Sequence, residues 1–187
     1  MNQLRLLLPV ILLASAPALS TTTSWHSIAA ASSIQWTARW QGTPVKGQFK
    51  HFSVTGHVDA DHPAGGTLKL TVDTASVSAA SPDVTRALHS AEWFGIADFP
   101  AAQFTGTLEG TPKSLTLQGT LQLKGHSKKL ALPLTLTHDN GHLQLQGNFT
   151  LERNDFDIGS GQWRSGSMIA TTVHVRFSIR LASGTSG

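Results

Sequence analysis

Between Leu115 and Leu151, apolar and polar side chains alternate almost without interruption. Leu115, Leu117, Leu121 and Leu123 alternate with Thr116, Gln118, Thr120 and Gln122. Leu130, Leu132, Leu134 and Leu136 alternate with Ala131, Pro133, Thr135 and Thr137, and Leu143, Leu145, Phe149 and Leu151 with Gln144, Gln146, Asn148 and Thr150. Successive side chains of an extended chain point to opposite faces, so each run predicts a strand with one apolar and one polar face. The same period recurs in Ile34, Trp36, Ala38 and Trp40, in Leu68, Leu70 and Val72, and in Val173, Val175, Phe177, Ile179 and Leu181. Ala102 and Phe104 open a further strand, and Val45 to His57 reads as an extended region with Gly47 and Gly56 marking bends. Thr21 to Ser33 shows no clear period and is expected to be loose, with Trp25 docked on the body.

The turns between these runs carry their own signals. Asn140-Gly141 is the strongest short hairpin signal a sequence can carry. Gly125-His126-Ser127 separates two leucine strands, and Asp59 to Gly66 is a turn rich in glycine and proline. Ser81-Pro82 is a helix start, a capping hydroxyl followed by proline at the first helical position, and predicts one or two turns over Asp83 to His89. Ser90 opens a second short turn through Phe94, and Phe99-Pro100 ends the excursion. The count is about eight strands and one short helical insert. No predicted helix is long enough to cover a sheet, so the apolar faces must cover one another in a two-sheet sandwich or a closed barrel. A barrel of that size is either filled by its own side chains or holds one elongated ligand, and the pattern leaves both outcomes open.

Composition narrows the chemistry. The chain has 187 residues, no cysteine and only 13% charged residues, with a formal net charge of +3. Disulfides, thiol nucleophiles and zinc-thiolate sites are excluded. No basic stripe points to nucleic acid. Met1 to Ser20 has a weakly positive start, an apolar run from Leu6 to Leu13 and a small-residue tail, the layout of a cleaved signal peptide. The expected organisation is therefore a signal peptide over 1–20, one domain over 21–182 and a flexible tail over 183–187, in a protein exported to the periplasm. There is no G-x-S-x-G, H-E-x-x-H or phosphate loop, and no catalytic residue is assigned. His57, Asp59, Asp61 and His62 crowd one turn, and His138 and His142 flank Asn140-Gly141 where they can face each other. Neither set has a defined metal-ligand spacing, and no metal site is assigned. Arg153, Asp155 and Asp157 form a charged turn, expected to be tied down by ion pairing, with Trp163 and Arg164 beside it.

Five blocks in order resemble the YceI family of lipocalin-like periplasmic proteins. They are Gly47-Gln48-Phe49-Lys50-His51-Phe52, Asp73 to Val77, Arg86 to Phe94 with Phe99-Pro100 and Phe104, Gly119 to Lys128, and Arg153 to Gly159. The resemblance runs from Ser33 to Phe177. It implies an all-β, antiparallel lipocalin-like barrel of about eight strands with a short helical insert and a long apolar lumen. It further implies a binding protein, not an enzyme, with no covalent cofactor and a bound isoprenoid quinone or polyprenyl lipid. Gly42 to Gly47 and Trp93 look closer to the subgroup associated with cytochrome b561-type membrane proteins, which implies such a partner; a homodimer is also compatible with the family. The chain departs from the family where Trp40-Gln41-Gly42 replaces a His-x-Gly, where Arg86-Ala87 replaces an Arg-Asp pair, and where Asp157 replaces a glycine, so no polar head-group contact is carried over. The candidate lumen residues are Ile34, Trp36, Trp40, Phe49, Leu70, Phe104, Leu121, Leu132, Leu145, Phe149, Val175 and Phe177, on the apolar phases of the strands. Trp93 and Phe94 join them from the insert, where with Ile96 and Phe99 they either gate the barrel mouth or plug it.

Overall fold

The structure, a computed structural model, describes residues 22–111 and 114–184. The expected signal segment and the last three residues lie outside that range. Eleven strands and one helix follow in chain order: β1 (Thr23–Ser27), β2 (Ser33–Trp40), β3 (Thr43–Phe49), β4 (Phe52–Val58), β5 (Thr67–Asp73), β6 (Val77–Ala79), α1 (Pro82–His89), β7 (Ala101–Thr111), β8 (Ser114–Leu123), β9 (His126–Asp139), β10 (His142–Glu152) and β11 (Thr172–Ser183). All pairings are antiparallel, and the order β1-β4-β5-β7-β8-β9-β10-β11 closes on itself through β1–β11. This is the eight-stranded barrel expected from the sequence.

The three additional strands arise because the first three barrel strands are broken partway along. β11 pairs with β2 over His174 to Ser178 and with β1 over Leu181 to Ser183, so β1 and β2 are two halves of one edge. β3 and β4 are likewise two halves that pair with β2 and β1, and β5 and β6 pair with β4 and β3. Side chains and short backbone bonds hold the breaks. Ser32 Oγ donates to Ile28 O at 2.8 Å and accepts from Arg180 N at 3.0 Å. Asp73 caps the turn after β5 by accepting from Ala75 N, and Thr74 Oγ1 donates to Phe99 O. Past the breaks the sheet ends at β6, and α1 and the residues after it stand against that edge.

The loose segment expected over Thr21 to Ser33 is a strand instead. β1 is short and lacks a clear period, but Thr23 to His26 pairs with β4 and Trp25 to Ser27 with β11, which makes it the strand that closes the barrel. Trp25 is buried at that end, and its Nε1–H donates to Val58 O at 2.9 Å. β11 runs through Ser183, opposite Trp25, so the strand extends into the stretch expected to be tail.

The leucine alternation is realised as written. Leu115, Leu117, Leu132, Leu134, Leu143 and Leu145 are buried, and Gln118, Ala131, Pro133, Thr135 and Gln146 are exposed. Asn140 and Gly141 both have positive φ, 48° and 74°, as a two-residue type I′ hairpin demands. The β8–β9 turn is Lys124-Gly125, one residue earlier than the glycine-led reading, because Lys124 itself takes φ 47°. α1 starts where the Ser-Pro signal places it: Ser81 Oγ accepts from Val84 N.

Candidate ligand-binding site

Apolar hollows follow the barrel axis in three steps. The first lies mid-barrel, has a volume of about 100 Å³, and is lined by fifteen side chains that are all apolar. It holds eight of the candidate residues: Ile34, Leu70, Phe104, Leu121, Leu132, Leu145, Phe149 and Phe177. Val175, a ninth, walls both this hollow and the next. The second, about 110 Å³, adds Trp36, Phe49, Trp93 and Phe94. The third, about 250 Å³, is bounded by Trp36, Trp40 and Trp93 together with Trp163, α1 and the rim charges Arg39 and Asp83. All fourteen candidate residues therefore line one axial series. Trp40 is the outermost of them and is 42% exposed.

Several neighbours were not singled out from the sequence. Val54, Leu68, Leu117, Leu130, Leu134 and Ile179 complete the first hollow. They sit on the same apolar phases as the chosen residues, so the alternation contained them. Leu88, Phe156, Ile158 and Ile169 come from helix and loop segments where no period marks an inward side.

A larger hollow lies elsewhere among the described residues. About 900 Å³ of open groove crosses the outer face of β10, β11, β2, β3 and β6 between Gln35, Gln48, Asn148, Lys46, Lys50, His174 and Arg176. Its polar and basic lining makes it unsuited to a hydrocarbon, so size alone misleads. The smaller interior hollows are dry by chemistry. An apolar cavity of about 150 Å³ excludes water and takes apolar guests instead.

The mouth is assembled by Arg153, which bonds to carbonyl oxygens and takes no part in the ion pairing expected of its turn. Arg153 is 3% exposed. Its Nε donates to Ala170 O, its Nη1 to Ile158 O, Gly159 O and Asn154 Oδ1, and its Nη2 to Trp163 O and Ile169 O. Every N–H of the guanidinium is used on carbonyl oxygens, which a loop of irregular backbone leaves free and a strand would not. The guanidinium also lies 5.8 Å from the Trp93 ring centroid. Burial pushes its pKa below the ordinary arginine value, with the nearby Glu152 charge opposing. The two aspartates of the turn are ion-paired to other residues: Asp157 with Arg164 at 3.0 Å and Asp155 with Lys128 at 3.3 Å. Lys124 Nζ reaches Asp157 O at 2.7 Å, and burial likewise lowers its pKa, opposed by the Asp157 charge.

The aromatic insert is strapped to this loop. Glu92 O accepts from Gly159 N and Ser160 N, and Glu92 Oε2 accepts from Trp163 Nε1 at 2.9 Å. Phe94 stands edge-on to Phe49, ring centroids 5.7 Å apart. Trp93 and Phe94 thus wall the upper hollows from the insert side.

The histidines scatter. His57 Nδ1 lies 3.1 Å from Ser24 Oγ, and His62 lies 3.7 Å from Asp59. His138 pairs with Leu143 and His142 with Asp139, so the two do not face each other across the hairpin. Among the described residues no three His, Asp or Glu side chains converge.

Comparison with known proteins agrees with this geometry. The family model of the YceI-like domain matches residues 25–181. Protein YceI of Salmonella arizonae is 33% identical over 91 residues, covering 48% of this chain and 48% of that protein; Protein YceI of Salmonella newport matches to the same extent. The chain thus matches about half the length of these curated relatives. Among solved structures, Burkholderia cenocepacia BcnA has a TM-score of 0.78 at 24% identity, over 83% of this chain and 99% of that one. A polyisoprenoid binding domain from Saccharophagus degradans, implicated in plant cell wall breakdown, has a TM-score of 0.71 at 16% identity, over 87% and 99%. The Campylobacter jejuni YceI protein has a TM-score of 0.68 at 20% identity, over 75% and 85%. At these identities the structures speak for the fold. With a family match that spans the barrel from its closing strand to the end of its core, this chain belongs to the YceI-like family.

Proposed function

We propose that this protein is a periplasmic carrier, exported through its N-terminal segment, that holds an isoprenoid chain in the barrel without changing it chemically. The observation that carries this reading is the axial series of apolar hollows, whose mid-barrel member has no polar lining atom. A prenyl chain has no hydrogen bonds to offer and needs none there. Each buried CH₂ contributes about 0.8 kcal/mol, so an isoprene unit gains a few kcal/mol before the cost of ordering the chain. The hollows are narrow, so entry requires leucine and phenylalanine side chains to change rotamer along the axis. The polyisoprenoid-binding description of the Saccharophagus relative supports the same ligand class. A quinone or a polyprenyl lipid meets these requirements.

Extraction of the exported, purified protein followed by mass spectrometry tests the proposal. A prenyl lipid recovered in stoichiometric amount supports it. A barrel that yields none and takes up no prenyl quinone on titration overturns it.

The small volume of the mid-barrel hollow favours a second reading, a self-filled barrel that docks on a cytochrome b561-type membrane redox protein. Trp40, exposed at the mouth, is then a contact residue. Saturable uptake of a prenyl lipid into the lumen separates the two.

A further inference from the structure

The outer face of the barrel carries cations that the fold does not use. Around the mouth, Lys124, Lys128 and Arg164 meet aspartates and Arg153 meets carbonyl oxygens. On the outer side of β11 and β3, Arg176, Lys46 and Lys50 are exposed. Among the described residues, none of these three has a carboxylate within ion-pair distance.

These cations share one open groove. It has a volume of about 900 Å³, crosses from β10 over β11, β2 and β3 to β6, and has no Asp or Glu in its lining. That volume lies in the ~300–1,000 Å³ range of ligand clefts. Strand register fixes the layout. Asn148, Arg176, Gln35, Gln48 and Ser78 stand opposite one another in a single row across five strands. The next row on the same face, two residues along each strand, runs through His174, Thr37 and Lys46. Each cation thus has neutral neighbours: Arg176 lies between Asn148 and Gln35, and Lys46 beside Thr37. Amides and hydroxyls both donate and accept, so the groove offers positive charge set among two-way hydrogen-bonding groups.

The occupant must match that mixture. A membrane surface is flat and does not enter a groove. Single-stranded nucleic acid needs rings to stack on. Trp36 and Phe149, the aromatic residues that border the groove, are on the inner phase and wall the interior hollows. An extended peptide gains affinity by adding a strand at a sheet edge and by filling side-chain pockets. Here β11, β2 and β3 are already paired on both sides, and the exposed side chains are polar. A sugar chain fits better, because its hydroxyls donate and accept as the amides do. Carboxylates on that chain would form charge-assisted bonds with the arginine and lysines. Without a ring to stack on, a neutral sugar offers only hydrogen bonds that water matches, so charge must supply the affinity.

We propose that this outer groove binds an anionic oligosaccharide, a chain of sugars bearing carboxylates. Arg176, Lys46 and Lys50 hold the acid groups, and Gln35, Gln48 and Asn148 the hydroxyls. The site is separate from the lumen and does not depend on the carrier reading.

Calorimetric titration of the purified protein with a hexamer of galacturonate, with the fully methyl-esterified hexamer and with hexaglutamate tests it, beside co-sedimentation with phosphatidylglycerol vesicles. The expected result is saturable binding of the galacturonate hexamer that weakens as salt is added, and none of its neutral ester. Lys46→Gln with Arg176→Gln should weaken that binding about tenfold, the loss expected for two exposed charge contacts. Lys69→Gln with Lys129→Gln removes the same charge from exposed sites on β5 and β9 outside the groove, and should leave binding unchanged. All four side chains are exposed, so neither pair of changes disturbs the core. Failure to bind the hexamer, equal binding of the ester or equal losses in the two double variants overturns the inference. So does tighter binding of hexaglutamate or of the vesicles through Lys46 and Arg176.

Discussion

The two ends of this barrel are held by different means. At the closed end the chain relies on ladder and packing. β1 pairs on both sides, Val58, Leu108, Leu143 and Leu181 are fully buried, and Trp25 spends its indole N–H on Val58 O. At the mouth the ladder stops at β6 and a helix and two loops form the wall. There a buried guanidinium gathers the carbonyls, and Trp36 keeps its N–H unspent. The closed end is held by a continuous ladder and apolar packing, and the mouth by irregular backbone gathered on one buried guanidinium.

The largest test of this contrast is Arg153→Ala. It removes the donor from five backbone carbonyls and Asn154 at once, and unsatisfied buried groups cost about 1–3 kcal/mol each where water cannot reach them. We expect a loss of at least about 3 kcal/mol in denaturant unfolding, within the range for breaking a buried charged hub. Arg153→Lys, with three donors in place of a fork, should recover only part. A loss below about 1 kcal/mol would show that the mouth does not depend on the hub.

A smaller effect compares packing at the two levels. Leu143 is fully buried at the closed end, whereas Leu121 borders the mid-barrel hollow. Leu143→Ala is expected to cost about 3 kcal/mol, in the usual range for a buried leucine. Leu121→Ala should cost about half of that or less, because the hollow already denies it contacts on one side. Equal losses would mean that the lumen is as solid as the closed end.

The smallest effect is acid sensitivity. Asp59, in the turn after β4, accepts from His62 N and Asp61 N, and these backbone bonds hold its pKa below 3.8. At the mouth the Thr172 hydroxyl, bonded to Glu152, lowers that carboxyl in the same way. A depressed carboxyl pKa adds stability above its unfolded value and loses it as pH falls through the folded one. Glu152 is exposed and Asp59 lies in a half-buried surface turn, so the contributions are small. The melting temperatures of wild type and Asp59→Ala should differ near neutral pH and converge as the pH falls through the lowered pKa of the folded protein. A difference that does not shrink as the pH is lowered would sink this assignment.

Much of this was legible in the chain. The alternation from Leu115 to Leu151 fixed which faces are inward, Asn140-Gly141 fixed a hairpin, and Ser81-Pro82 fixed the start of α1. These signals are local: a strand's period, a turn's positive φ and a cap's hydroxyl each act within a few residues. The twelve strand-borne lumen candidates line the hollows because inward phase is a property of the strand itself; Trp93 and Phe94 reach them from the insert.

What tertiary structure alone decided lies where local signals are weak. β1 has no period, and it becomes a strand because β4 and β11 offer two open edges to its backbone. Arg153 sits among carboxylates in sequence but among carbonyls in space, because the loop over 153–171 folds back on its side chain. The leucines of β8, β9 and β10 determined that the barrel has an apolar interior. Whether a given indole N–H inside it meets a carbonyl, as Trp25 does, or meets none, as Trp36 does, depends on what distant strands place opposite. A period of two carries no information about that partner.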